Sequence, residues 1–157
     1  LEYLVRMFGD NLRKGLLLGE LEYRKGNTFG VTAFTSYGLF WWSYVFLNLL
    51  PRSSSFLGYQ LPSNESFMAY FFMWGLFTFF MFFGTLKANR AIQFVFMSLA
   101  ILFFLLTAHE LTSNATLGTI TGYEGIICGL SAIYLGLAEV INEAHGEAFL
   151  PTGPMNQ

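Results

Sequence analysis

The stretch from Thr28 to Pro51 contains no acidic or basic side chain other than the weakly acidic tyrosines. A helix needs about 20 predominantly apolar residues to cross the hydrocarbon core of a bilayer. This stretch therefore predicts a membrane helix. Hydroxyl groups recur in its first half, at Thr28, Thr32, Thr35, Ser36 and Tyr37. A membrane helix with these groups would present a polar surface inside the bilayer.

The composition favours a membrane protein over a soluble enzyme. Apolar residues make up 54% of the 157 residues and charged residues only 11%, whereas soluble domains have about 25% charged residues. The net charge of −2 argues against a nucleic-acid partner, which would need a basic face. We find no metal-ligand cluster, phosphate loop or nucleophile–base pattern, so we expect no metal, no cofactor and no enzymatic activity. Cys128 is the single cysteine and reads as a buried, inert thiol.

The apolar runs predict an all-α fold, a polytopic transmembrane helix bundle that forms one transporter domain over residues 1–157. They are apolar all round, which distinguishes them from the alternating strands of a membrane barrel. Four clear spans are expected at about residues 28–50, 66–86, 90–108 and 117–141, and a weaker fifth segment at about residues 2–23.

The first segment carries many charges, although its apolar residues follow helical spacing. Two interpretations remain open. In the first, which these residues favour, the segment is an amphipathic helix that lies at the interface or packs inside a bundle. In the second, it is a spanning helix whose charges face a cavity or a partner.

The connecting loops differ in charge, which predicts the topology. Arg24 and Lys25 follow the first segment, and Lys87 and Arg90 lie between the third and fourth. Loops rich in lysine and arginine face the cytoplasm. The loops at 52–65 and 109–117 are then outside and the C-terminus is cytoplasmic. A further helix before Leu1 would complete a subunit of six helices, of which this chain holds five.

The last apolar run combines small residues with one carboxyl group. Small residues let helices approach closely in lipid, so the stripe predicts helix packing within or between subunits. Glu124 is a functional candidate because ionisable groups in membranes are costly. The run from Thr121 to Glu124 also resembles a capping box at a helix start, and we favour that interpretation. The stripe consists of Gly118, Gly122, Gly125, Gly129, Ala132 and Gly136.

The hydroxyl groups of the first clear span fall on one helical face, which ends near Tyr37. Such groups often bond the backbone of their own helix. A polar face confined to half a helix is also consistent with a polar vestibule that leads to a narrow point in a passage, which Tyr37 would mark. No lysine or arginine lies inside the four clear spans, Arg90 being at a boundary. A bare carboxylate would pay a large desolvation penalty there, so a neutral solute or an anion that moves with a proton is favoured. A channel, a transporter and a packed bundle all remain open.

Residues 22–38 read EYRKGNTFGVTAFTSYG, and this stretch resembles the signature region of the acetate uptake transporter family, of the succinate–acetate permease type. The similarity continues in order through nearly the whole chain after Glu20. Further matching stretches are residues 79–87, 93–96, 127–135 and 149–151.

The resemblance implies six membrane helices per subunit, a homo-hexamer in lipid and a substrate path through each subunit. The family moves acetate, and in some members succinate, with protons. It implies a hydrophobic constriction formed by Tyr37, Leu99 and a phenylalanine of the first helix, with Ala132 influencing substrate size. Asn27 and Thr28 match the polar signature near the path.

Two features depart from the family pattern. The Pro-rich N-terminal motif is missing, and we expect that the chain is truncated before Leu1, so that the family's first helix is absent. The stretch from Asp10 to Gly15 is charged where the family is apolar, with Gly15 at the position of a glutamine.

We therefore expect an integral protein of the plasma (inner) membrane that carries small monocarboxylates such as acetate, together with protons. The alternatives are a membrane interaction or sensor protein without transport, and a channel for another small solute such as ammonia.

Overall fold

The structure is a computed structural model that describes residues 2–49 and 60–155, with the side chains of the first helix described from Arg13 onward. Its described residues form five helices and no strand, with one isolated bridge between Asn89 and Pro154. The expected all-α fold is confirmed. The helices are α1 (Glu2–Arg24), α2 (Thr28–Leu49), α3 (Asn64–Gly84), α4 (Arg90–Thr112) and α5 (Ala115–His145).

The chain divides into two compact units, Leu1–Pro62 and Ser63–Gln157. In the first, α1 and α2 pack against each other across a tight turn. Gly26 has a φ of 73°, in the left-handed region that glycine enters without strain. The Gly26 N–H donates to Tyr23 O at 3.0 Å and the Asn27 N–H to Glu22 O at 3.0 Å. These two bonds make a Schellman motif, which ends α1 and reverses the chain.

Glycines allow the backbones of α1 and α2 to touch. A Cβ atom added to Gly15 would lie 3.0 Å from Gly38 Cα and 3.1 Å from Phe34 O. One added to Gly19 would collide with Thr35 Oγ1. Small residues permit this close approach between helices in membranes, and here they fix the crossing point of the hairpin.

In the second unit, α4 packs against both α3 and α5. Its inward side chains include Phe96, Ala100 and Phe103, which are buried. On α3, Gly75 leaves room for the Phe104 ring, since an added Cβ would lie 2.9 Å from that ring. The centre of this unit is therefore an aromatic core around α4.

Polar side chains fix the turns of the second unit. Asn89 caps α4 by accepting from Ile92 N at 2.8 Å, and buried Gln93 donates to Leu86 O at 3.2 Å at the end of α3. Ser113, with a φ of 51°, ends α4. Asn114 begins α5 by accepting from Thr116 N at 2.9 Å. These contacts satisfy backbone groups that helix ends leave free.

Three of the helices, α3, α4 and α5, are long and apolar enough to cross a membrane. Among the described residues, α2 does not reach the same hydropathy, although it carries no charge. Its threonines, glycines, tryptophans and tyrosines lower the average without adding a charge. The spans expected in α1 and α2 therefore stay predictions.

The capping-box interpretation of Thr121–Glu124 is wrong. The α5 helix begins at Ala115, after the cap Asn114, and continues without a break to His145. Thr121 Oγ1 donates to Leu117 O of its own helix at 2.8 Å, so it does not cap a new helix. Glu124 therefore lies inside a long helix.

Candidate functional site

The turn before α2 is held by the side chain of Asn27. Asn27 Oδ1 accepts from Gly30 N at 3.0 Å, and so caps α2. Its Nδ2 donates to Glu22 Oε2 at 2.6 Å, while Lys25 Nζ donates to the other oxygen of Glu22 at 3.2 Å. The bond from Asn27, and then Lys25, holds the pKa of Glu22 below its ordinary value. Asn27 thus has a structural role that the sequence pattern alone left unassigned.

The predicted hydroxyl face of α2 is partly engaged within the hairpin. Thr32 Oγ1 donates to Thr28 O at 2.9 Å, which is the self-bonding that polar residues in membrane helices often adopt. Thr35 lies against Gly19 of α1. Thr28 is exposed, and Ser36 and Tyr37 are half-buried.

The remaining predicted path residues lie in the second unit. Leu99 is half-buried on α4, and Ala132 is exposed on α5. Tyr37 belongs to the first unit and Leu99 to the second. The constriction between Tyr37 and Leu99 therefore stays a prediction.

The glycine stripe of α5 divides into two sets. A Cβ added to Gly118 would lie 2.9 Å from the His109 ring, and one added to Gly125 would lie 3.7 Å from Leu102, so both positions face α4. The other three have nothing within 4 Å of an added Cβ. We call these three the open glycine row: Gly122, Gly129 and Gly136.

A carboxyl–hydroxyl pair joins α4 to α5 inside their apolar lengths. Ser98 Oγ donates to Glu124 Oε1 at 2.6 Å. Ser98 is buried, with 4% of its surface exposed, and Glu124 is half-buried. The sequence marked Glu124 as an ionisable group in a membrane segment, but its partner is 26 residues away and left no local signal.

The C-terminal segment folds back onto the start of α4. The Arg90 and Ala91 amides donate to Gly153 O at 2.8 Å and Thr152 O at 3.0 Å. Asn142 makes two bonds with Leu150, one to its carbonyl and one from its amide. A depression of about 410 Å³ lies beside this segment. Its lining is Arg90, Ala91, Phe94, Ser131, Tyr134, Pro151, Thr152 and Gly153.

The chemistry available in the described helices is that of hydrogen bonding and proton exchange. Among the described residues, no group of three or more histidine, cysteine or acidic side chains could hold a metal ion. The polar groups are hydroxyls, side-chain amides such as that of Asn27, and the carboxyl groups of Glu22 and Glu124. Such groups suit the passage of a small polar solute between helices.

Residues 13–157 match the sequence profile of the GPR1/FUN34/yaaH family. This chain belongs to the GPR1/FUN34/yaaH family. The expected resemblance to acetate uptake transporters is thereby confirmed at the level of the family, and the protein is an α-helical integral membrane protein.

Relatives of this family share much of the sequence. The chain is 50% identical to "Succinate-acetate/proton symporter SatP" of Escherichia coli K12 over 88% of its own length and 72% of the relative. It is 30% identical to "Ammonia transport outward protein 3" of Saccharomyces cerevisiae over 88% of its length and 51% of that protein.

A solved structure agrees with the family assignment. The bacterial acetate channel SatP superposes with a TM-score of 0.83 at 49% identity, covering 88% of this chain and 75% of the solved one. This similarity fits the all-α membrane fold.

Proposed function

We propose that the chain is a subunit of a transporter or channel for small monocarboxylates, with acetate as the main substrate and succinate as a second. The observation that carries this proposal is the 50% identity to a succinate-acetate/proton symporter. The similarity to the solved structure of the bacterial acetate channel SatP agrees with it.

The path is formed by polar groups that lead to a narrow apolar point. Thr28, Thr32, Thr35 and Ser36 line the approach along α2, next to Asn27 at the turn. Tyr37 and Leu99 form the constriction, which gates the path by excluding water. Ala132 sets the size of the acid that passes.

The acid moves with a proton. No lysine or arginine lies inside residues 28–50 or 91–108 to neutralise a carboxylate, and an isolated carboxylate in an apolar passage is costly to desolvate. A carboxylate that crosses with a proton carries no net charge. The pH gradient therefore drives uptake, whereas the membrane voltage does not.

The subunit assembles as a homo-hexamer in the plasma membrane with its C-terminus in the cytoplasm. The open glycine row of α5 provides a surface on which another helix can lie closely. The turns that carry Arg24, Lys25, Lys87 and Arg90 are on the cytoplasmic side, in agreement with the positive-inside rule.

Uptake of labelled acetate by cells that lack their own acetate carriers tests this proposal. We expect expression of the protein to restore uptake and excess unlabelled propionate to compete. Uptake that stays at the level of the empty vector contradicts transport and favours a membrane interaction or sensor role.

A second candidate function is a channel for ammonia, because one relative is named for outward ammonia transport. Release of ammonia that is unaffected by acetate, in cells that show no acetate uptake, would favour this candidate.

A further inference from the structure

We infer that the carboxyl group of Glu124 binds the proton that is transported with the acid. This inference rests on the proposed proton-coupled function. It assigns the proton to one side chain and its hydrogen-bond partner, Ser98 on α4.

The position of Glu124 is the first argument. It lies nine residues after the start of α5 at Ala115, roughly 14 Å along the helix axis. The whole of α5, with 31 residues, is long enough to cross a hydrocarbon core of about 30 Å. Glu124 therefore lies inside the membrane segment. An ionisable side chain at such a depth is costly and marks proton or ion paths in many membrane proteins.

The partner is the second argument. Ser98 Oγ lies 2.6 Å from Glu124 Oε1, and a hydroxyl group both donates and accepts. Ser98 donates to Glu124 when the carboxylate is ionised. When Glu124 is protonated, its own O–H donates to Ser98 Oγ. One hydrogen bond is therefore kept in both states, whereas an arginine partner would hold the carboxylate ionised.

Along α4 and α5, both of which the structure describes in full, no arginine, lysine or second carboxyl group lies within one helical turn of the pair. The α5 helix packs against α4, whose ionisable side chains Arg90, His109 and Glu110 lie near its two ends. Ser98 is roughly 12 Å from Arg90 and roughly 16 Å from His109 along the axis. On α5 itself, the nearest titratable groups are Tyr123, which is exposed, and Cys128, which is buried and whose thiol also hydrogen-bonds with Ser98.

The level of the pair along α4 is the third argument. Ser98 directly precedes Leu99, the predicted constriction residue. The proton site and the apolar constriction therefore lie at one height on α4. A proton bound to Glu124 would be close to the point at which desolvation of an ionised substrate costs most free energy.

Transport by purified protein in liposomes tests the inference, measured as the initial rate of labelled acetate uptake above that of protein-free vesicles. Rates are compared with equal pH on both sides and with an inward proton gradient. An inward gradient of one pH unit should raise the initial rate of wild-type uptake, and the steady-state accumulation should reach at most about tenfold if one proton is coupled to each acid. Glu124→Gln has an amide that can hydrogen-bond with Ser98 but binds no proton, so we expect its uptake to lose the stimulation by the gradient.

Two further variants separate proton binding from a structural role. Ser98→Ala keeps the carboxyl group and shifts the pH at which uptake is half-maximal, while stimulation by the gradient remains. Glu143→Gln, an exposed carboxyl near the end of α5, behaves as wild type. A purely structural pair would instead leave Glu124→Gln fully stimulated by the gradient.

Infrared spectroscopy provides a readout that does not depend on transport. As the pH falls, the wild-type spectrum should contain one protonated-carboxyl component that Glu124→Gln lacks, beside the bands that the other acidic side chains give in both proteins. If the carboxyl bands of the two proteins do not differ, the inference is overturned. If wild-type uptake responds to the gradient and Glu124→Gln responds equally, the inference fails and the proposed function stands. If wild-type uptake ignores the gradient, proton coupling and this inference both fail.

Discussion

Asn27 offers the sharpest test of whether the residues at the start of α2 serve structure or substrate. Its side chain accepts from Gly30 N at 3.0 Å and donates to Glu22 Oε2 at 2.6 Å. Asn27→Ala removes both bonds. Asn27→Ser keeps the cap, because serine and asparagine cap helices about equally well, but it does not carry the amide that reaches Glu22.

The cap sets the expected magnitude. Losing a cap costs about 1 kcal/mol, whereas the bond to Glu22 is exposed to solvent and contributes less. For a chain of this size, 1 kcal/mol shifts the melting temperature by about 2–4 °C. We therefore expect Asn27→Ala to melt about 2–4 °C below wild type, and Asn27→Ser to melt closer to wild type because it keeps the cap.

Thermal unfolding of the detergent-solubilised protein, followed by tryptophan fluorescence, measures these shifts. Asn64→Ala is the control, since Asn64 is exposed at the first residue of α3 and Ser63 is the cap there. We expect acetate uptake per folded molecule to change little in Asn27→Ser. An Asn27→Ala protein that melts as wild type but transports nothing would refute the structural account and assign Asn27 to the substrate path.

Four further outcomes are expected. Gly15→Val should destabilise the α1–α2 hairpin by about 1–3 kcal/mol through overpacking, and a melting temperature at or above wild type would contradict the backbone contact with Gly38. Leu99→Ala should admit larger acids in competition assays, and unchanged selectivity would remove Leu99 from the constriction. Asn142→Ala should free the C-terminal segment, seen as faster proteolysis near Leu150; an unchanged cleavage rate would contradict this. The pKa of Glu22 is lowered in the fold, so its contribution to stability is present above its ordinary pKa and is lost as the pH falls through the lowered value. Asn27→Ala should therefore lose less stability on acidification than wild type. An equal loss in both proteins would argue against the Asn27 bond as the main cause of the lowered pKa.

Much of the helical fold was predictable from charge and hydropathy. The charge-free stretch after Lys25 fixed the second helix, and Gly26 followed by Asn27 is a recognisable end of one helix and start of the next. The last helix was less predictable. The Thr121–Glu124 pattern looks like a cap only when read locally, whereas the structure shows a continuous helix and a partner for Glu124 on α4.

The candidate site was only partly predictable. The local sequence does not show which residues of different helices contact each other. The period of the glycines identified the faces of α5, but only the structure separates Gly118 and Gly125, which face α4, from the open row. Thr35 similarly appeared as a path residue, while its contact with Gly19 depends on how α1 crosses α2. Sequence patterns show which residues share a helix face, and packing decides what that face meets.

The most direct test of the central claim is acetate flux into liposomes that contain the purified protein. The pH gradient and the membrane voltage are imposed separately, and protein-free vesicles give the background. We expect uptake to rise with an inward proton gradient and to be unaffected by voltage at constant pH, because the acid crosses without net charge. Uptake that follows voltage alone, or that does not respond to pH, would contradict it.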